Sequence, residues 1–434
     1  MPTVNIIGGG LAGSECAYQL ARQGINVQLY EMRPEIQTPV HKTPYLAELV
    51  CSNSLKSTSI DNASGVLKEE MRILDSLILR VADDTRVPAG TALAVDRERF
   101  ASRVTEMIER EDYIHLIRRE ITSIDDGIWV IATGPLTSSS LSKKIKQMTG
   151  EEHLYFFDAV SPIIYTESID MNRVVKANRY QEDGGDYLNC FMNEEEYTRF
   201  WQELINAECL PMKMFEKGLL FERCKPIEEI ARTGKDAIRF GPLRPTGLVD
   251  SGTNKMPYAA VQLRTENKEK TMYNMVGFQT RLKWGEQKRV FRFIPGLENA
   301  SFVRYGVMHR NTFINSPECL DIFLRLKKNP NVWFAGQITG VEGYVESAAM
   351  GLYVALNLIK TIKGEEPQSL PDDTMMGSLV RYITTPNVSF QPIYASFGIL
   401  PTIPVKNKWK RRHFLAARAI ENIKAWKEKI FLKK

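Results

Sequence analysis

The chain has 434 residues, 43% of them hydrophobic and 25% charged, with a formal net charge of +5. At roughly 100–200 residues per domain that length predicts two or three domains, and the composition excludes a disordered or collagen-like chain. The charge is uneven: residues 406–434 hold eleven Lys/Arg and two Glu, a local +9, which leaves the other 405 residues at −4. No apolar run reaches the ~18 residues that cross a bilayer. The N-terminus passes from Met1 straight into a strand-like run with no basic leader or cleavage site, which predicts a cytoplasmic protein without a membrane partner. The six cysteines (Cys16, Cys51, Cys190, Cys209, Cys224 and Cys319) show no CxxC spacing, which predicts reduced thiols and no metal site.

The first thirty residues read strand, glycine loop, helix, strand. Val4–Ile7 is a short apolar strand, and Gly8-Gly9-Gly10-Leu11-Ala12-Gly13 fits G-x-G-x-x-G through Gly8, Gly10 and Gly13. A helix is predicted over Ser14–Gln23, closed by Gly24, and a strand over Asn26–Tyr30 with Glu31 at its carboxyl end, 18 residues after Gly13. Each piece has a physical task in holding a dinucleotide. Gly8 permits the tight turn, Gly10 lets the backbone approach a pyrophosphate, and Gly13 lets helix pack on strand. The helix start offers N–H groups to phosphate, and Glu31 accepts from a ribose hydroxyl.

Further along, Ile128–Gly134 reads as a strand entering a small-residue turn at Ala132-Thr133-Gly134. Residues from about 155 to 305 carry short β-like runs (Phe156–Val160, Ala259–Leu263, Tyr273–Phe278) and one helical stretch, Glu194–Glu208. They predict an inserted α/β substrate domain. Asp183-Gly184-Gly185-Asp186 reads as a hairpin turn, not a phosphate loop. Val332–Phe334 is another strand, followed by the loop Gly336-Gln337-Ile338-Thr339-Gly340-Val341-Glu342-Gly343 and a small-faced helix over Val345–Ile359. The layout resembles the two-part FAD domains, with a first βαβ unit, an Ala-Thr-Gly strand end, a long insertion and a late second motif. It favours FAD over NAD, with Gly8, Gly9, Gly10, Leu11, Ala12, Gly13, Glu31, Gly134, Gly336, Gln337, Gly340 and Gly343 as the cofactor-binding residues. The fold class expected is α/β: a Rossmann-like two-part FAD-binding domain (1–150 and 306–365), the inserted domain (151–305), and a C-terminal segment (366–434). In that segment Trp409, His413, Ala416, Ile420, Ile423 and Ile430 recur every three or four residues, which predicts a basic amphipathic helix facing either nucleic acid or its own protein.

Two cysteines have cationic neighbours. Cys51 lies in Leu49-Val50-Cys51-Ser52-Asn53-Ser54-Leu55-Lys56, and Cys224 in Phe221-Glu222-Arg223-Cys224-Lys225-Pro226-Ile227-Glu228. Nearby positive charge favours the reactive thiolate, while burial would leave either one inert. Cys16, Cys190, Cys209 and Cys319 read as packing residues. These two runs, with Val66–Arg72 and the stretch Asn274–Pro317 that includes Tyr305-Gly306-Val307-Met308-His309-Arg310-Asn311-Thr312, resemble the TrmFO family, the bacterial folate- and FAD-dependent tRNA uracil-5-methyltransferases. Gly9 stands where that family often has alanine.

The resemblance implies transfer of a one-carbon unit from 5,10-methylenetetrahydrofolate to C5 of a T-loop uridine (position 54) in tRNA. Electrons come from NADPH or NADH through FAD. It implies Cys51 and Cys224 as the catalytic pair, one the nucleophile and one the general acid/base, and His309 and Arg310 as folate contacts, with His309 stacked on the pteridine. Lys283, Lys288 and Arg289 are candidate phosphate contacts, equally readable as a solvated face. The partners expected are tRNA and the folate donor, with no stable protein partner. Two other readings stay open: the same chemistry on ribosomal RNA, and a non-methylating FAD protein of RNA modification like the related carboxymethylaminomethyl-uridine enzyme. A small-molecule flavin oxidoreductase is disfavoured by the missing second G-x-G-x-x-G and redox Cys pair.

Overall fold

A computed structural model describes residues 2–38, 40–150, 154–181, 185–211, 225–250, 252–387 and 390–431, with the backbone alone at 154–159, 309–310 and 430–431. Val4-Asn5-Ile6-Ile7 forms a strand with Val4 and Ile6 buried on one face and Ile7 on the other, as befits a strand covered on both faces. It lies inside a six-stranded sheet ordered Arg325–Leu326, Asn329–Phe334, Ile128–Ile131, Val4–Ile7, Val27–Glu31, Ile114–Arg118. All pairings are parallel except the hairpin at the Arg325 edge. The chain winds outward in both directions from Val4–Ile7, so the crevice beyond its carboxyl end is the topological switch point at which such sheets bind ligands.

The first helix spans Leu11–Ala21, beginning three residues earlier than predicted because the glycine turn closes at Gly10. Gly24 ends it with the Ile25 N–H bonded to the Leu20 carbonyl at 3.3 Å. Against it packs the helix Tyr344–Ile362. A methyl built on Gly351 would sit 2.2 Å from the Ala12 carbonyl oxygen, so the two backbones approach as closely as glycine allows. Tyr344–Ile362 is the one described helix long and apolar enough to cross a membrane, yet 78% of that window is buried in this core.

A second six-stranded sheet is antiparallel throughout, ordered Val174–Lys176, Tyr187–Met192, Ala259–Thr265, Met272–Met275, Ile163–Tyr165, Phe302–Arg304. Alternate residues Leu188, Cys190 and Met192 point into its own core, which Glu194–Asn206 covers with Tyr197, Phe200 and Leu204. Residues 182–184 of the expected Asp183–Asp186 turn lie outside the described residues. Two antiparallel strands, Leu154–Ala159 and Met308–Phe313, carry the chain into this sheet and back out.

The C-terminal helix, Lys408–Phe431, packs on the helix Ala63–Ile73. Its buried stripe is Leu415, Ala416, Ala419, Ile423 and Trp426. The stripe predicted from sequence holds at Ala416 and Ile423 but not at the start of the helix, where Trp409 is 71% exposed. Two buried glutamates tie inner helices to their neighbours. Glu15 accepts from Ser76 Oγ (2.6 Å) and from the N–H groups of Leu77 (3.1 Å) and Ile78 (3.0 Å), closing the start of Leu77–Asp84. Glu70 does the same for Met375–Thr384 through the N–H groups of Met375 (2.6 Å) and Met376 (2.8 Å). Orphan N–H groups at a helix start need such an acceptor.

Burial pushes the Glu70 carboxyl up to about 8, against the pull of its two N–H donors. A carboxyl whose folded pKa lies above its unfolded value keeps a proton the unfolded chain has released, so its stabilising contribution is full below about 4.5 and is lost as pH rises toward 8. Urea midpoints of wild type and Glu70→Gln, measured from pH 5 to 8.5, are expected to converge or cross, with wild type losing stability relative to the variant as pH rises. A parallel pair of curves would contradict this.

Candidate functional site

The glycine loop at the switch point is shaped for a ligand. Gly8 has φ +104°, and a Cβ there would lie 2.6 Å from the Ala132 carbonyl oxygen; one on Gly13 would lie 1.9 Å from the Gly8 carbonyl oxygen. Strand, turn and helix therefore touch backbone to backbone. Gly10 is different: a Cβ there meets nothing within 4 Å, so that side of the loop faces open space. No side chain caps the helix start, leaving the first-turn N–H groups, those of Leu11 and Ala12 among them, directed at that space.

Glu31 ends its strand with Oε2 accepting from Gly9 N (2.9 Å) and Oε1 from Arg33 N and Nε (3.0 Å each). Burial pushes this carboxyl up, but Arg33 and the backbone donors outweigh it and hold it below the usual range, as a carboxylate. His41, Arg119, Thr133 and Thr137 line the same cleft. Burial and the Arg33 charge push His41 down to about 4, so it is a neutral acceptor or donor there.

The second motif closes the crevice from the other side. Gly134 begins a short 3-10 turn after the strand Ile128–Ile131, Gly336, Gln337 and Gly340 surround another, and Gly343 is the start of Tyr344–Ile362, again with no side-chain cap. Gly343 has φ +122°, which suits glycine alone, and its missing Cβ would strike Glu346 Oε2 at 2.2 Å. The strand Met308–Phe313 runs beside both turns. Within it Asn311 is 1% exposed, yet neither its amide nitrogen nor its oxygen has a partner, and the Oδ1 of Asn315 is also buried and unmatched. Buried polar atoms without partners are costly. A flavin ring, edged with carbonyls and ring nitrogens, is the chemistry that would satisfy them, and the glycine cradles fit its diphosphate. The residues present therefore fit FAD.

Cys51 lies on a loop bonded both to the helix Tyr344–Ile362 and to the second six-stranded sheet. Its N–H donates to the Tyr344 hydroxyl (2.6 Å), as does that of Ser52 (3.2 Å). Tyr344 is the first residue of the second-motif helix, so the thiol-bearing loop is attached to the flavin cradle itself. Arg97 donates to the carbonyls of Leu49 and Cys51, and Arg304 to that of Val50. Arg97 is paired with Glu266 at 2.9 Å. Arg264, on the Ala259–Thr265 strand, holds Ser52 Oγ (2.7 Å) and Asn53 Oδ1 (2.8 Å). The buried Lys68 ammonium, pushed down to about 7 by burial, holds the Leu55 carbonyl at 2.7 Å. Both Arg97 and Arg304 feel the Cys51 charge as an attraction, and such guanidiniums favour a thiolate. The sequence pointed to Lys56 for this purpose. Instead its ammonium is paired with Glu346 at 2.9 Å, and the arginines take its place.

In front of this loop opens a cleft enclosing about 1950 Å³, mouth included, lined by Arg97, Glu266, Trp284, Arg304 and Tyr305 among others. Trp284 and Tyr305 stack at 5.6 Å and 12°, and Tyr305 stacks on Phe302 at 5.0 Å, giving the cleft a flat aromatic wall.

The other predicted residues divide. Cys224 lies outside the described residues, as do 212–223. His309 and Arg310 sit on the Met308–Phe313 strand, paired by backbone with Asp158 and Phe157. Cys16, Cys190 and Cys319 are buried. Cys209 is half-buried with the Arg232 guanidinium 3.4 Å from its sulfur, a cationic neighbour the sequence did not reveal. Lys283 is paired with Glu208, and Arg289 with Glu203 and Glu286, so two of the three proposed phosphate contacts serve the protein's own surface. Sequence reasoning missed Arg97, Arg264, Tyr344 and Asn311 as site residues. Arg97 left one signal: a cation at the first helical position after the capping Asp96, where the helix dipole disfavours it.

Comparison with known proteins bears on this geometry. The family model described as glucose inhibited division protein A matches residues 3–366. The methylenetetrahydrofolate–tRNA-(uracil-5-)-methyltransferase TrmFO of Thermotoga maritima is 58% identical over 430 residues, covering 98% of this chain and 99% of that protein. The protein of the same name from Halalkalibacterium halodurans is 55% identical over 432 residues, covering 99% of each. Among solved structures, GidA of Aquifex aeolicus superposes with a TM-score of 0.72 at 17% identity, over 100% of this chain and 74% of that one, which establishes a shared fold.

Two predictions follow from the geometry. Gly10→Ala leaves the fold intact, since its methyl meets no protein atom, but places that methyl in the cofactor's approach. The expected result is unchanged far-UV circular dichroism with loss of the bound-flavin absorbance on purification; retained flavin would contradict the cradle. Arg97→Met/Arg304→Met removes both cations from the thiol. Alkylation of the Cys51 peptide by iodoacetamide at pH 7, followed by mass spectrometry, should slow about tenfold for each pKa unit the thiol gains.

Proposed function

Since the chain belongs to the glucose inhibited division protein A family, and within it to TrmFO, we infer that Cys51 is the thiol that activates the uracil in its reaction. The protein is a methylenetetrahydrofolate–tRNA-(uracil-5-)-methyltransferase: it places a one-carbon unit from 5,10-methylenetetrahydrofolate on C5 of a tRNA uridine. The observation that carries the assignment of Cys51 is its attachment, through the Tyr344 hydroxyl, to the first residue of the helix that closes the flavin cradle. No other described cysteine is joined to that cradle and flanked by two guanidiniums.

Uracil C5 is a poor nucleophile. Addition of the Cys51 thiolate at C6 moves electron density to C5, which then attacks the donor's one-carbon unit. The C5 proton must leave next, the bond from that carbon to the folate nitrogen breaks to release tetrahydrofolate, and, once the carbon has been reduced, elimination of the thiolate restores the C5–C6 double bond. Bound FAD, reduced by NAD(P)H, supplies the two electrons that take the carbon from the methylene to the methyl level. Arg97 and Arg304, by gripping the carbonyls of residues 49–51, fix the direction of the thiol, and positive charge beside a thiol favours its thiolate. Glu266 keeps Arg97 in place. We assign proton removal at C5 to Cys224 on the resemblance of its run, and stacking on the pteridine to His309, with Arg310 toward the folate's carboxylates. The aromatic wall of Trp284 and Tyr305 offers a flat face to a ring entering the cleft.

The target uridine is proposed to be position 54 of the T loop, in the cytoplasm. Such a base lies inside folded tRNA and must flip out at a cost of a few kcal/mol. The test supplies purified protein with unmodified tRNA, NAD(P)H and methylenetetrahydrofolate labelled in its one-carbon unit, and maps the product by nuclease digestion. Label is expected in T-loop 5-methyluridine, and Cys51→Ala is expected to abolish it while retaining bound flavin. Label elsewhere in tRNA would overturn the position, and full turnover by Cys51→Ala would overturn the role of the thiol.

A further inference from the structure

A second large cleft lies between residues 56–64, residues 394–403 and the first turns of the C-terminal helix, and shares no lining residue with the aromatic-walled one. It encloses about 1510 Å³, mouth included. Its lining carries four cations, Lys56, Lys408, Arg411 and Arg412, against the single acid Asp61, with the rings of Tyr394 and Phe397 between them. Among the described residues Lys408, Arg411 and Arg412 make no ion pair with the protein. Arg412 lies over the exposed Trp409 ring at 5.6 Å.

These cations do nothing for the helix that bears them. They crowd its N-terminal turns, where the dipole disfavours positive charge, and no acidic residue offsets them there. The terminus itself is already satisfied: Asn407 Oδ1 accepts from the N–H groups of Trp409 and Lys410 at 3.0 Å each. What remains is a set of unneutralised side chains around a concave surface, interleaved with aromatic rings. That is the chemistry of a phosphodiester backbone with unstacked bases beside it. The cleft also connects to the reaction site through three bonded steps. Lys56 on its wall is paired with Glu346; Glu346 shares the first turn of its helix with Tyr344; and Tyr344 holds Cys51.

We propose that this cleft binds the sugar–phosphate backbone of the tRNA flanking the flipped uridine, with Lys408, Arg411 and Arg412 as phosphate contacts. The proposal rests on the reading of the protein as a tRNA methyltransferase. It gives the C-terminal helix two faces with separate tasks: Leu415, Ala416, Ala419 and Ile423 build the core, and the cations of its first turns hold RNA.

The test uses the full-length flavin-loaded enzyme carrying Arg411→Glu/Arg412→Glu, with the milder Arg411→Ala/Arg412→Ala beside it. A matched charge change, Lys143→Glu/Lys144→Glu, lies on the helix Ser139–Thr149, none of whose residues lines the cleft. Binding of unmodified tRNA is measured across a salt series, with KM for tRNA and for methylenetetrahydrofolate. The proposal expects KM for tRNA to rise about tenfold or more in the cleft variants, and the salt slope of the alanine pair to fall by roughly 1.5–2, as loss of two phosphate contacts requires. Flavin content and KM for methylenetetrahydrofolate should not change. Equal losses in the Lys143/Lys144 control, unchanged tRNA affinity and slope, or a rise confined to the folate KM would each overturn it. So would unchanged tRNA affinity joined to lost binding to vesicles containing anionic lipid. Wild-type enzyme that forms no 5-methyluridine in tRNA would instead count against the methyltransferase reading itself.

Discussion

The phenol oxygen of Tyr344 accepts hydrogen bonds from two successive backbone N–H groups, those of Cys51 and Ser52, and the site depends on that contact. A loop bearing a nucleophile is free to take many shapes, and a chemical step tolerates few of them. Here the loop is anchored at its amides by the helix that forms half of the flavin cradle. Its carbonyls are anchored by Arg97 and Arg304, and its side chains by Arg264 from the second sheet. The thiol is thus referenced to the cofactor site and to the second six-stranded sheet at once. Burial and the nearby Cys51 push the Tyr344 hydroxyl up, so it stays a neutral phenol and remains able to donate a hydrogen bond while accepting two.

The anchoring requires burying charge, and around the site that charge is paired. Arg97 has Glu266, Glu346 has Lys56, and Glu31 has Arg33. Glu15 and Glu70 have no cation; their carboxyls, pushed up by burial, accept from helix N–H groups instead. The exceptions are informative. Among the described residues several buried polar atoms lack a partner, and of these both polar atoms of Asn311 lie on the strand beside the turns where a flavin ring would rest.

The C-terminal helix shows the same separation of tasks. Its inner residues close the core over the helix Ala63–Ile73, and Trp426 Nε1 donates to the Ser369 carbonyl at 2.9 Å. Its first turns gather charge that the fold does not need. A helix that both completes a core and offers a cationic rim couples the stability of the dinucleotide-binding unit to the surface that meets the substrate.

Much of this was legible in the sequence because it is local. The G-x-G-x-x-G turn with Glu31, the Ala-Thr-Gly strand end and the late glycine loop are short-range patterns, set by the dihedral freedom of glycine and the period of strands and helices. The runs around Cys51 and Cys224, with Val66–Arg72 and the stretch Asn274–Pro317, were distinctive enough together to identify the family and so the chemistry. The sequence did not reveal which cation serves the thiol. Lys56 is five residues from Cys51 in the chain, but tertiary packing gives it to Glu346 and brings Arg97 and Arg304 from 46 and 253 residues away. Nor did it reveal Arg264, Tyr344 or Asn311, or how far the inward face of the C-terminal helix extends: Ala416 and Ile423 are buried, but Trp409 obeys the same period and lies beyond the surface it would have to cover. Periodicity determines that a face exists; only the neighbouring surface decides where that face ends. Electrostatic partnership, which falls off with distance in space and not along the chain, was decided by the tertiary structure alone.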